Sequence, residues 1–146
     1  MPTNASAHNG QSTGDILDIL KRDHGRVDHL LDQIEDTDDG DEPRRAQLFA
    51  QIAAEIGVLS DAEDQIVYVS LESRAGFEEL IDGARQDHEH IEQMVEELDQ
   101  LEVTSGEWSG KVRELRQLVR HHVDVEEGML FPKIRQELDA QERGRM

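Results

Sequence analysis

The chain has 146 residues, of which 34 are acidic and 15 are basic, so its formal net charge is −19. This length is sufficient for one domain with its own apolar core, and the absence of cysteine excludes disulfide bonds and thiolate metal sites. The negative charge argues against nucleic acid or an anionic membrane surface as a partner, because both carry phosphate groups.

The N-terminal segment is small and polar. We expect residues 1–12 to form a disordered, flexible tail ahead of a single domain that covers residues 13–140. The segment has no apolar run that could act as a signal peptide or membrane segment, and the expected location is therefore the cytoplasm.

Three turn-forming segments divide the rest of the chain into four stretches. Within each stretch apolar residues recur at spacings of three and four, and none alternates with a period of two. The pattern predicts helices at about residues 12–35, 43–72, 76–101 and 107–138. Because the connections are short, we predict an all-α fold, an antiparallel up-down-up-down four-helix bundle.

Polar residues interrupt the apolar face near the middle of every predicted helix. These residues are His24, Glu63, His88, His122 and Glu126. The acidic residues that follow the two glutamates, Asp64 and Glu127, are expected to face water; the alternative is that they hold a histidine in one tautomer.

The interruptions form an internal repeat. An Asp-His pair occurs at residues 23–24 and again at 87–88, and an acidic pair occurs at 63–64 and again at 126–127. The interval from histidine to glutamate is 39 residues in the first half (24 to 63) and 38 in the second (88 to 126). We therefore predict two helical hairpins about a pseudo-two-fold axis, each contributing half of one central site.

These five side chains are the right kind to bind a metal ion. A carboxylate loses several kcal/mol of hydration in an apolar interior unless a counter-charge compensates, and the apolar faces contain no lysine or arginine. Imidazole and carboxylate groups both bind divalent cations, and glutamates from two helices can bridge two ions. The alternatives are a hydrogen-bonded polar layer without metal, and a site for one ion instead of two.

With these motifs the chain resembles the hemerythrin-like family, in particular its bacterial HHE cation-binding branch. The resemblance rests on the paired motifs above, on the four-residue spacing of His122 and Glu126, and on Tyr68 and Phe131-Pro132 after the two glutamates. It implies that the five interior residues bind non-haem iron, as two irons bridged by carboxylates and an oxo or hydroxo group. Manganese or zinc would also accept these ligands.

The chain departs from the family pattern at two positions. Leu59 stands where the family has a histidine four residues before the first glutamate, and Glu92 stands where oxygen-carrying members have a second histidine on the third helix. Additional ligands, or groups that support the ligands, would be Asp28, Glu92 and Tyr68. We expect Leu59 to line an open position at the metal.

Open positions favour a metal that reacts with or senses O2, peroxide or nitric oxide over one that stores oxygen. The resemblance thus implies an oxygen-binding, stress-protective protein whose partners are small diatomic ligands or peroxide, with no nucleic acid and no membrane. Whether the protein is an enzyme is left open; if it is, we expect a non-haem di-iron oxidoreductase. Alternatives are a metal-responsive scaffold without turnover, or a di-iron oxidase or oxygenase acting on an organic substrate.

Overall fold

The computed structural model describes residues 15–146, and the tail predicted at residues 1–12 lies outside this range. The described part is helical and contains no strands, which confirms the predicted all-α antiparallel four-helix bundle. The first and second bundle helices pack as one hairpin and the third and fourth as another, and the first also contacts the fourth.

The first and third bundle helices are continuous, whereas the second and fourth each contain a π-helical segment. The first is α1, Ile16–Glu35, and the third is α4, Glu78–Asp99. The second consists of α2, Glu42–Ala62, then π1, Glu63–Tyr68, and then α3, Val69–Leu71. The fourth consists of α5, Gly106–Val125, then π2, Glu126–Leu130, and then α6, Phe131–Glu137, after which a short α7 covers Ala140–Gly144.

Side-chain caps set the starts of the first and fourth bundle helices. The Asp15 carboxylate accepts the backbone N–H of Leu17 at 2.8 Å, and the Ser105 hydroxyl accepts that of Trp108 at 3.1 Å. Each cap satisfies an N–H group that has no partner inside its helix. The first helix therefore starts at Ile16, later than the predicted residue 12.

The two π-helical segments begin at the two interior glutamates, Glu63 and Glu126. In each, a backbone N–H bonds to the carbonyl five residues earlier: Val69 to Asp64 in π1, and Phe131 to Glu126 in π2. A π turn holds more residues than the 3.6 of an α turn. As a result, the residue five positions after each glutamate returns to the interior face.

Two apolar clusters fill the interior, one at each end of the bundle. One includes Leu31, Ile52 and Leu115, and the other includes Leu20 and Ile134. Along every bundle helix, the interior histidine or glutamate stands at the point where the residues change from one cluster to the other. The fold therefore places the five polar residues in a layer between two apolar cores.

Ion pairs join the first bundle helix to the fourth. Arg116 bonds to Glu35 at 2.6 Å and also to Asp32, and Arg120 bonds to Asp28 at 3.2 Å. No helix within residues 15–146 combines the length and hydrophobicity needed to cross a lipid bilayer.

Candidate metal centre

The structure brings all five predicted residues together in the interior. Their exposed fractions range from 1% for the two glutamates to 8% for His88. His24 Nε2 lies 2.8 Å from Glu63 Oε2, and His88 Nε2 lies 2.8 Å from Glu63 Oε1 and 3.0 Å from His122 Nε2. Each of the first three bundle helices thus contributes one residue to a single cluster, and the fourth contributes two.

Each glutamate presents one oxygen to each side of the cluster. Glu63 Oε2 faces His24, whereas Glu63 Oε1 faces His88 and lies 3.4 Å from His122 Nε2. Glu126 Oε1 lies 3.3 Å from His24 Nε2, and Glu126 Oε2 lies 3.4 Å from His122 Nε2. Both carboxylates are therefore arranged so that each could bridge two ions, one on either side.

Tyr68 also belongs to this cluster, because π1 turns it inward. Its phenol Oη donates a hydrogen bond to Glu126 Oε2 and lies 3.3 Å from Glu63 Oε1 and 3.4 Å from His88 Nε2. The Tyr68 side chain is completely buried. Of the three additional candidates from the sequence, it is the one whose side chain reaches the five central residues.

The other two additional candidates lie elsewhere. Asp28 forms its ion pair with Arg120 at the surface, and Glu92 is exposed. Each is one turn after an interior histidine, but on the solvent side of its helix. The structure thus corrects the expectation that Asp28 and Glu92 reach the centre.

Two further carboxylates contact the outer nitrogens of the interior histidines. Glu127 Oε2 lies 2.7 Å from His24 Nδ1, and Asp87 Oδ2 lies 3.4 Å from His122 Nδ1. Such contacts keep an imidazole in one tautomer with its Nε2 directed at the centre. Glu127 thus takes the supporting role that the sequence offered as the alternative to facing water, and its place in π2 brings it to His24. The sequence signal was an acidic residue directly beside an interior ligand.

The cluster shifts the proton affinities of its members. Burial by itself lowers the pKa of His24, but the neighbouring carboxylates of Glu126 and Glu63 outweigh this and raise the pKa of His24 to about 10. Burial disfavours ionisation of Glu63, yet its imidazole neighbours bring the pKa of Glu63 well below its usual range. Burial and the nearby charge of Glu63 raise the pKa of Glu126 to about 7. Protons on the imidazoles thus balance the carboxylate charge.

Burial and the two carboxylates also raise the pKa of Tyr68 far above its usual range. The phenol therefore keeps its proton at Oη beside Glu126.

The donor set fits a cation. Glu126 Oε1 is buried without a hydrogen-bond partner, because the nearest donor, His24 Nε2, lies closer to Glu63. Within residues 15–146, no lysine or arginine forms an ion pair with Glu63 or Glu126. Glu63, His88, His122 and Glu126 each offer one ligand atom, and these atoms all lie within 4.8 Å of one another. Nitrogen and carboxylate oxygen donors of this kind suit iron, manganese or zinc.

A small apolar cavity adjoins the cluster. Its volume is about 20 Å³, and a single water needs roughly 10–15 Å³ by the same measure. The wall is formed by four residues of the cluster and seven neighbours: His24, Glu63, His88 and His122, with Val27, Ile56, Leu59, Ser60, Ile91, Val119 and Val123. Leu59, which the sequence assigns to an open position at the metal, lies in the wall of this cavity. A separate polar groove of about 380 Å³ between the first and fourth helices reaches the outer side of His24 and Glu127.

Comparisons with known proteins agree with this geometry. Residues 15–134 match the family described as the hemerythrin HHE cation binding domain. The chain is also 27% identical over 131 residues to a protein named DNA nickase from Nostoc sp. (strain PCC 7120 / SAG 25.82 / UTEX 2576). That match covers 87% of this chain but only 35% of the relative, so the chain spans about a third of the relative's length. No solved structure matches. The match over residues 15–134, on a fold with this buried cluster, shows that the chain belongs to the hemerythrin HHE cation-binding family.

Proposed function

We propose that the chain binds iron through His24, Glu63, His88, His122 and Glu126, and that the loaded protein reacts with or senses O2, peroxide or nitric oxide in a stress-protective role. The main support is the pair of interior glutamates, each with one oxygen toward His24 and the other toward His122. The full proposal is two irons joined by these carboxylates and an oxo or hydroxo group. We also propose that the protein acts in the cytoplasm.

Bound iron would supply one-electron chemistry and an open coordination position for a small ligand. The protein's own groups hold and orient that centre. Glu127 and Asp87 fix the rings of His24 and His122 from outside. Tyr68 holds a proton at Oη next to Glu126 Oε2, and the aliphatic wall with Leu59 limits the entry of water.

The size of the cavity favours small ligands over an organic substrate. A volume of about 20 Å³ can hold a water or a diatomic molecule. Pockets for organic ligands are usually larger by more than tenfold. The larger groove meets His24 at its outer nitrogen, where Glu127 covers it. The oxidase or oxygenase alternative therefore has less support.

Two other functions can be separated by experiment. A metal-responsive scaffold would show a metal-dependent change in stability without reaction at the iron. The similarity to a protein named DNA nickase raises DNA nicking as a candidate. The net charge of −19 opposes it, because DNA repels an acidic surface.

The direct test is reactivity of the iron-loaded full chain. Protein loaded with ferrous iron without oxygen is mixed with O2, hydrogen peroxide or nitric oxide, and absorption changes are followed by stopped flow. Glu63→Gln is the matched control, because it keeps the size of a proposed bridging residue and removes its charge. We expect a reaction with at least one of the three in the wild type and at least a tenfold slower one in the control. An iron-loaded wild type that is inert to all three contradicts the proposal.

A further inference from the structure

A second polar groove lies between the second and third bundle helices and ends at the candidate metal centre. Its volume is about 210 Å³. A single water needs roughly 10–15 Å³ by the same measure, so the groove has room for a small ion with its hydration shell. We call it the acidic groove, because its lining includes the carboxylates of Asp61, Asp64, Glu89 and Glu92 together with Ser60 and His88.

The acidic groove is more negative than the groove at His24. Its four carboxylates face one guanidinium, that of Arg85, which pairs with Asp64 at 3.4 Å and with Glu72 at 2.9 Å. The groove at His24 has three carboxylates and two cationic side chains, Lys21 and Arg120. The formal charge of the lining is therefore −3 in the first and −1 in the second. A cleft lined by negative charge raises the local concentration of cations.

Three carboxylates of the acidic groove have no counter-charge on the protein. Asp61, Glu89 and Glu92 are exposed, and none of them forms an ion pair within residues 15–146, whereas Asp64 is paired with Arg85. These three groups are therefore available to an ion from solvent.

Ser60 and His88 separate the acidic groove from the small cavity beside the centre, because both residues line both spaces. On the other face of the bundle, the same cavity is separated from the groove at His24 by His24 itself, Val119 and Val123. A cation that sheds water needs oxygen or nitrogen atoms in its place. The partition with a hydroxyl and an imidazole therefore suits a cation better than the partition with two valines.

His88 is also the interior histidine whose outer nitrogen is not held by a carboxylate. The rings of His24 and His122 are each contacted at Nδ1 by an acidic side chain. Within residues 15–146, every hydrogen bond of His88 is made by Nε2, which leaves Nδ1 without a partner although the residue is only 8% exposed. Because no carboxylate holds this ring in one orientation, it can turn at lower cost than the other two.

Resting on the proposed function, we propose that the acidic groove is the path by which a hydrated divalent cation enters and leaves the centre. The unpaired carboxylates hold the ion at the mouth. At the inner end, the Ser60 hydroxyl and His88 Nδ1 replace waters of the ion while the His88 ring turns aside. The ring then returns, and the ion lies beside Glu63 Oε1, which is 2.8 Å from His88 Nε2.

The role of the charges is tested by the kinetics of cobalt(II) uptake, because bound cobalt(II) absorbs visible light. The metal-free full chain is mixed with cobalt(II) by stopped flow, and release is measured with excess chelator. Asp61→Asn/Glu92→Gln removes two charges from the acidic groove. The matched control, Asp28→Asn/Asp124→Asn, removes two from the groove at His24, so both variants change the net charge of −19 equally.

We expect uptake to slow at least about fivefold in the acidic-groove variant and less than about twofold in the control. The difference between the two variants should shrink at high salt, because exposed charges are screened. Circular dichroism verifies the fold of each variant.

The passage itself is tested by added bulk at the two partitions. Ser60→Val narrows the partition of the acidic groove, and Val123→Ile narrows the other one. We expect Ser60→Val to slow uptake and release alike, at least about fivefold, because an obstacle on the path acts in both directions and leaves the affinity nearly unchanged. Val123→Ile should keep both rates within about twofold of the wild type.

The outcomes separate this proposal from the proposed function. Equal slowing in the two charge variants, or a Ser60→Val chain that loads as fast as the wild type, overturns the entry path and leaves the proposed function standing. The expected rates together with an iron-loaded wild type that is inert to O2, peroxide and nitric oxide support the path and overturn the proposed function. A chain that takes up neither cobalt(II) nor iron(II) overturns both.

Discussion

At the scale of single residues, Glu127 contacts the outer nitrogen of His24 and orients its ring toward the metal centre. Glu127 lies 2.7 Å from His24 Nδ1 and is itself 30% exposed, so it links the buried imidazole to the solvent-filled groove. Its counterpart in the internal repeat, Asp64, instead forms an ion pair with Arg85 at the surface. The two acidic residues thus occupy equivalent sequence positions with different contacts.

This difference gives a matched pair of substitutions. Glu127→Gln keeps the size of the side chain but removes the charge that orients His24, and we expect the affinity for the ion at His24 to fall by about 10-fold to 100-fold. Asp64→Asn should change that affinity by less than about twofold. Calorimetric titration of the metal-free chain measures both. Equal effects of the two substitutions would contradict the role given to Glu127.

Protons and metal compete for the same groups, which sets the pH dependence. With its pKa raised from 6.5 to about 10, His24 contributes stability to the metal-free chain that is fully present below pH 6.5 and is lost as the pH rises to 10. The pKa of Glu126 is raised from 4.5 to about 7, so its contribution to stability is likewise lost as the pH rises between those two values. The lowered pKa of Glu63 contributes stability that is present above pH 4.5 and is lost as the pH falls below that value.

We therefore expect the melting temperature of the metal-free chain to fall between pH 6.5 and 9, while the stabilisation by added metal grows over the same range. The growth follows because the ion replaces the protons that the cluster would otherwise hold. Calorimetric scans with a chelator and with metal measure the two curves, and charges elsewhere cancel in their difference. Parallel curves would argue against a metal bound at His24 and Glu126.

At the level of secondary structure, ion pairs at the rim join the first and fourth helices. Arg116 is only 16% exposed and bonds to both Asp32 and Glu35, whereas Arg120 is 54% exposed and bonds to Asp28. Partly buried, doubly paired arginines contribute more than exposed single pairs, which are typically worth 0–1 kcal/mol. Arg116 is therefore the main ionic contact of this interface.

We expect Arg116→Gln to lower the free energy of unfolding by about 1 kcal/mol, and Arg120→Gln by less than about 0.5 kcal/mol. Urea unfolding at low and high salt measures both values. The Arg116 effect should persist better at high salt, because its partly buried pairs are less screened. A larger loss in Arg120→Gln than in Arg116→Gln would contradict the ranking.

The sequence predicts the helices and the meeting point of the five polar residues well, because helical periodicity decides which face is buried. His24, Glu63, His88, His122 and Glu126 interrupt that face in every helix, and the structure brings them together. The periodicity assumes 3.6 residues per turn and therefore misses the π-helical segments.

The same assumption explains the residues that the sequence placed less well. Tyr68 would lie off the interior face of a regular helix, so only its position five residues after Glu63 hinted at a role. Asp28 and Glu92 were placed by helical spacing alone, which does not reveal Arg120 as the partner of Asp28. Such contacts join residues that are far apart in the sequence. They depend on how the helices pack, so the residue pattern of a single helix cannot predict them.

For the molecule as a whole, the charge of −19 separates this chain from proteins that bind DNA through their surface. We expect the metal-loaded chain neither to bind nor to nick supercoiled plasmid at physiological salt. Agarose gels that resolve supercoiled from open circular plasmid measure nicking, with a catalase-treated sample to exclude damage by peroxide. Catalase-insensitive nicking that Glu63→Gln abolishes would favour DNA as the substrate.

The cation at the buried histidine and glutamate cluster is the central claim, and elemental analysis of the full chain purified without added metal tests it most directly. The wild type should contain at least one equivalent of transition metal, mainly iron, and the Glu63→Gln/Glu126→Gln double variant less than about a tenth of that. A folded wild type that contains no metal and takes up none on titration would contradict the account.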